Sequence, residues 1–344
     1  MGHASPCYSR WSIAGLLVAL IGLGAPANAH AQRYLVTDLG TLGGGSSTGY
    51  AINANGQVTG VAVTANGRLH AFLYTSGDGM IDLGTLGGGE TKGYGINASG
   101  QVTGEAVPAG GFLYTPGSGM TDIGTIGGGS STGYAINASG QVTGVAVTAN
   151  GTLHAFLYTP GSGMTDIGTL GGGSSKGDGI NASGQVTGEA VTANGRLHAF
   201  LYTSGNGMIE LGTLGGGTSK GYGINASGQV TGEVVTAGGA FHAFLYTSGD
   251  GMIDLGTLGG GESKGNGINA SGQVTGDAVT TNGALHAFLY AKRVMLDLNS
   301  MIDPVIAAHV TLFSGKGIND DGWIVANGAD SRTDMTHAYL LSKH

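Results

Sequence analysis

Six histidines occupy one position of a recurring pattern, His70, His154, His198, His242, His286 and His337, and most are followed twelve residues later by an acid, as in Asp82, Asp166 and Glu210. Imidazole and carboxylate at fixed spacing suit a zinc site, an acid–base pair or a structural hydrogen bond. Zinc needs three or four ligands meeting at about 2 Å. Copies spaced about 44 residues apart, each on its own structural unit, cannot meet. A structural pair within each unit is the expectation, worth roughly 0.2 to 1 kcal/mol where partly exposed. The pairs are His70 with Asp82, His154 with Asp166 and His198 with Glu210.

Two other motifs suggest chemistry that their variation argues against. The Gly-Asp-Gly step at Asp78 has the look of an acidic calcium loop, but its counterparts are Ser118, Ser162, Asn206 and Asp250. Calcium wants several oxygen ligands, often charged, so turn formation is the stronger reading. The TLGGG runs are glycine-rich like phosphate cradles, yet no helix follows and neither a dinucleotide fingerprint nor a Walker sequence is present. They read as flexible crossings between units. No metal or cofactor is expected.

One position varies where its surroundings repeat: Tyr50, Tyr94, Tyr134, Asp178, Tyr222, Asn266 and Lys316, each two residues before an isoleucine. Aromatic and polar side chains gathered in one place stack on and hydrogen-bond a sugar or peptide. Whether they gather depends on the elements that carry them.

Those elements are read from the repeat, since the period determines the architecture. The isoleucines Ile52, Ile96, Ile136, Ile180, Ile224, Ile268 and Ile318 mark seven units. One unit holds four short β-branched and aromatic runs, GYAIN, QVTGVAVT, LHAFLYT and MIDLG, separated by NANG, TANG and SGDG turns. A four-stranded antiparallel meander of this size is one blade of a β-propeller. RYLVTDLG before the first unit is a lone fourth strand, and HAYLLS closes a seventh unit that lacks one. Joining the two would close a ring and leave no sheet edge unpaired between the ends. The fold expected is therefore all-β, a seven-bladed β-propeller of four-stranded antiparallel blades, closed by the N-terminal strand completing the last blade. A β-solenoid shares the period, but its ends never meet.

In a propeller the seven variable residues would begin the innermost strands and ring the channel mouth, on the face carrying the TLGGG loops. Ser76 to Asp78 as a hairpin tip would set His70 opposite Asp82. HAFLYTSGDGMIDLGTLGGG, written identically at residues 70–89 and 242–261, follows from blades that present the same two faces to their neighbours; recent duplication would also produce it. A longer connector, residues 299–314, would cover one channel end.

The HAF tripeptide, the DLGTLGGG step and the GINASGQVTG step resemble the HAF-type extracellular repeat proteins of bacteria. The resemblance runs from about Tyr34 to Leu341 and includes DLNSMIDP and GINDDGWIV in the last unit. It implies secretion and repeat architecture, and no reaction.

The first residues agree with export. Arg10 precedes an apolar stretch from Ile13 to Ala25 and small-residue cleavage options at Ala29 or Ala31. That run falls short of the roughly 20 residues that span a bilayer. Residues 1–31 read as a secretory signal peptide and residues 32–344 as one propeller domain, secreted to the periplasm or the exterior without membrane insertion after cleavage. Cys7, the one cysteine, lies within the leader, so packing and not disulfides must hold the domain. Glycine at 72 residues serves turns, because the apolar 40% is patterned. A net charge of −8 with no basic run argues against nucleic acid as a partner. The function expected is a binding or scaffold module for an extracellular glycan or protein ligand. The alternative is a polysaccharide hydrolase or lyase, which near-identical blades disfavour, since propeller enzymes gather unlike groups near the axis.

Overall fold

The computed structural model describes residues 1–2 and 34–343, and the expected leader lies outside the described residues apart from its first two. Alternating small and β-branched residues form short strands, and glycine turns fold them into seven antiparallel sheets of four strands each, a seven-bladed β-propeller. In blade one the strands run, from the axis outward, Gly43–Ile52, Val58–Thr64, Leu69–Thr75 and Gly79–Asp82. Blades two to six repeat that order. Blade seven takes Val310–Ile318, Ile324–Asp330 and Met335–Lys343 from the end of the chain and Tyr34–Asp38 as its outermost strand. Tyr34 pairs with Lys343 and Asp38 with Tyr339.

The core explains the repeated HAF step. Phe72 and Tyr74 face Val325 and Ala338 of blade seven, whereas Ala71 and Leu73 face Ile96, Val102 and Phe112 of blade two. Phe72, Phe112, Phe156, Phe200, Phe244 and Phe288 are all fully buried, and Tyr339 takes that place in blade seven. Each such burial contributes about 1.5–3 kcal/mol. Blades one and five place the same side chains at equivalent positions of this packing: Phe244 lies against Ala199 and Leu201 of blade four as Phe72 lies against Val325 and Ala338 of blade seven.

Polar side chains tie each blade to the next. Asn53 Oδ1 accepts from the backbone of Asn55 and Gln57, holding its own turn, while Nδ2 donates to the carbonyl of Asn97 at 2.9 Å. Asn97, Asn137, Asn181, Asn225 and Asn269 each reach the next blade in the same way, and Asn319 donates back to Asn53 at 3.2 Å, so the bonds form a circle. A second staple uses Ser47, which accepts from Ala338 N at 3.0 Å and donates to the Gly40 carbonyl at 2.6 Å.

Two expectations about connections change. The glycines of TLGGG are not loose crossings in blade one: they open the ten-residue innermost strand, with Gly43 opposite Thr64. A Cβ on Gly44 would lie 2.5 Å from Val63 Cγ1 and 2.6 Å from the Val63 carbonyl, so the strands approach too closely for a side chain. Blade two, four residues shorter because it reads EAVPAGGFLYT where blade four reads EAVTANGRLHAFLYT, begins its innermost strand only at Thr91. The connector at 299–314 does not cover the channel. Leu298–Ser300 and Pro304–Ala307 form short helical turns, and Met301 and Ile302 are buried with Tyr34 in the core of blade seven. Its apolar residues seal the joint where the chain ends meet.

Candidate functional site: the channel cavity

The seven variable residues share one backbone device. In blade one Gly49 pairs with Gly60 and Ala51 with Thr59, leaving Tyr50 unpaired between them as a β-bulge. The same interruption falls at Tyr94, Tyr134, Asp178, Tyr222, Asn266 and Lys316. A bulge re-aims the residue it leaves unpaired, and all seven side chains line a single cavity of about 210 Å³ on the axis. The residues after them are glycine or alanine because the innermost strands nearly touch: a Cβ on Gly95 would stand 2.9 Å from Ala135 Cα.

The cavity is lined by the last three residues of the innermost strands, Tyr50, Ala51 and Ile52 in blade one. It therefore sits beside the asparagine turns, at the end of the strand away from the TLGGG segment. This corrects the expectation that these residues begin the strands on the TLGGG face. The glycines extend the strand at its other end, so the ring falls near its finish.

The ring has two unlike sides. Tyr50, Tyr94 and Tyr134 form a continuous arc, with ring centroids 5.1 Å and 5.3 Å apart and tilted planes. Burial pushes up the pKa of these three phenols and of Tyr222, so they remain neutral hydrogen-bonding groups. Opposite the arc the lining is polar or charged. Asp178 bonds Lys176 Nζ at 2.6 Å. Burial raises its carboxyl pKa to about 6, against the attraction of Lys176. Asn266 donates to Asp277 and to the Gly315 carbonyl, both at 2.9 Å. Burial depresses the pKa of Lys316.

A belt of charge behind this ring escaped the sequence reading. Lys92 pairs across the strands with Glu105, Lys176 with Glu189, Lys220 with Glu233 and Lys264 with Asp277, whereas the same positions hold Thr48 with Val61 and Thr132 with Val145. Lys220 reaches Glu233 at 3.1 Å and Glu189 of the preceding blade at 3.8 Å. Lys176 and Lys264 stand over the rings of Tyr134 and Tyr222 at 4.2 Å and 4.3 Å. The clue was in the text: lysine before the variable residue always accompanies an acid after the QVTG step, and threonine accompanies valine. The belt continues into a second cavity of about 330 Å³ between blades five and six, where Lys220, Glu233, Lys264 and Asp277 meet Phe241, Val279 and Leu285.

The histidines do not join this site. His70 Nδ1 lies 2.8 Å from Asp82, His154 Nδ1 2.7 Å from Asp166 and His198 Nδ1 2.5 Å from Glu210, each on its own blade. His337 makes the equivalent contact with Asp38 at 2.8 Å, linking the two ends of the chain. The expected register is corrected by two residues. The tip at Ser76 to Asp78 sets Thr75 against Gly79, so Phe72 faces Asp82 and His70 reaches it diagonally on the same face. The second carboxylate oxygen accepts from Gly84 N at 2.7 Å.

The sequence matches no protein-family model and no curated protein. Solved structures match the fold. "YCF48 bound to D1 peptide" aligns over 93% of this chain and 100% of that one, at 12% identity and a TM-score of 0.52. A puromycin-hydrolyzing peptidase of Mycobacterium tuberculosis aligns over 86% of this chain and 52% of its own length, at 9% identity and a TM-score of 0.53. At such identities the likeness is one of fold: the chain is built as these β-propellers are.

Proposed function

We propose that this chain is a secreted binding module of the HAF-type extracellular repeat class, holding a glycan or peptide at the cavity on its axis. One observation carries the reading: the residues that differ from blade to blade are the bulge residues that meet there. Core positions repeat because packing demands it. A lining that merely filled the channel could repeat as well, yet this one divides into an aromatic arc and a charged side. Tyrosine rings offer flat apolar faces with a hydroxyl at the edge, which suits sugars and peptides. YCF48, a propeller solved with a peptide, is a precedent for the peptide alternative. The leader expected at residues 1–31 supports export.

Glycan and peptide arrays probed with the mature domain test the reading. Saturable binding without turnover is expected, lost in Tyr94→Ala and Tyr222→Ala. Unchanged binding in both variants removes the cavity as the site, and release of a product replaces the binding module with an enzyme.

A further inference from the structure

Two charged groups on opposite sides of the axial cavity lack full partners. Lys316 lines it with no carboxylate within 4.0 Å of Nζ among the described residues. Asp178, also in the lining, gives Oδ1 to Lys176, while Oδ2 is buried and accepts no hydrogen bond. Around the ring, the tyrosine arc runs from the neighbour of one to the neighbour of the other: Lys316, Tyr50, Tyr94, Tyr134, Asp178. A half-buried ammonium without a carboxylate partner and a buried, half-satisfied carboxylate are each costly when left alone. Tyr222 and Asn266 stand between them on one side of the ring and the three tyrosines on the other, and among the described residues no ion pair joins the two. The pattern calls for a guest that is negative at one end and positive at the other.

We propose that the cavity binds a dipeptide with both termini free, its carboxylate on Lys316, its ammonium on Asp178 and its backbone along Tyr50, Tyr94 and Tyr134. This rests on the reading of the cavity as a ligand site and narrows it to one class. The volume of about 210 Å³ limits the guest to a small molecule. The terminal torsion of a carboxylate is soft, so binding of the guest requires only a turn of the Asp178 carboxylate to present Oδ2 to the cavity that the residue lines. Lys176 and Lys264 weaken the pull of Asp178 on an incoming cation, and Glu189 strengthens it. Tyr134 and Tyr222 already hold lysine ammonium groups against their rings, so the tyrosine surface tolerates a cation.

Titration calorimetry with Ala-Ala, N-acetyl-Ala-Ala and Ala-Ala-amide tests this. The free dipeptide should bind, and blocking either terminus should weaken it by roughly tenfold to hundredfold, the weight of one charge-assisted hydrogen bond. Lys316→Met and Asp178→Asn should each lose a similar factor. Lys316→Arg, which keeps the charge, should retain binding if both lysine variants melt as the parent does. Equal affinity for the acetylated dipeptide would reduce the site to an anion pocket and overturn the proposal. Failure of all three probes would also overturn it. If array binding is then still lost in Tyr94→Ala, the cavity remains the site for another ligand; if array binding survives that variant, the broader reading falls too.

Discussion

Asp178 shows how one residue can be kept at a loss to the fold. Its pKa is raised from 3.8 to about 6 by burial, which outweighs the attraction of Lys176. A carboxyl whose folded pKa lies above its unfolded value binds its proton more tightly when folded, so stability is lost as pH rises through that interval and stays lost above it. At about 1.4 kcal/mol per pKa unit the effect is on the order of 2–3 kcal/mol at most. Asp178→Asn removes the titration. Thermal melts of parent and variant between pH 4 and pH 7 should therefore diverge, with the parent falling relative to the variant up to about pH 6 and the gap constant beyond. A constant gap throughout would mean the carboxyl titrates normally. The histidine pairs belong to the opposite class of residue, modest and structural. His154→Ala, partly exposed and confined to one blade, should cost roughly 0.2 to 1 kcal/mol in denaturant unfolding and leave array binding intact.

At the scale of the strand and turn, the asparagine circle is the device most open to test. Asn181 accepts from the backbone of Ser183 and Gln185, donates to the Asn225 carbonyl at 3.1 Å and is buried. Asn181→Ala should destabilise the domain by about 1–3 kcal/mol, since buried backbone groups lose their partners. Asn181→Asp keeps the acceptor and removes the donor, so urea unfolding of the two separates the turn from the link between blades. The strands themselves were legible because QVTGVAVT and LHAFLYT carry apolar residues on both faces between glycine turns. The bulge was not. A period of two through Gly49, Tyr50 and Ala51 assumes continuous pairing, and one unpaired residue shifts the side chains beyond it. The Gly-X-Gly or Gly-X-Ala frame around every variable residue was the available hint, small residues marking close backbone approach. The His70 register was misplaced for a related reason: Asp82 is reached on the diagonal, and spacing alone does not distinguish diagonal from opposite partners on one face.

For the whole molecule the central fact is that seven nearly equal blades close only where the two ends of the chain meet. Tyr34–Asp38 completes blade seven and is held there by His337 on Asp38, while Asn327 ties blade seven to blade one by exchanging two hydrogen bonds with Gly49 at 2.9 Å and 3.1 Å. Deleting residues 34–38 should expose the edge of Met335–Lys343 and the buried Tyr339, lowering the melting temperature and promoting association through the free edge. A synthetic peptide spanning Arg33 to Gly40 added to that variant should restore the parent melting temperature; if it does not, closure by this strand is not what holds the ring. The joint also has a direction. Tyr34 lies beside Lys343 at the same end of the antiparallel pair, so opposed forces on these two residues would load one hydrogen bond at a time and peel the strand away like a zipper. Under tension the circle should open at this seam at low force, before any blade that is stapled on both sides unravels.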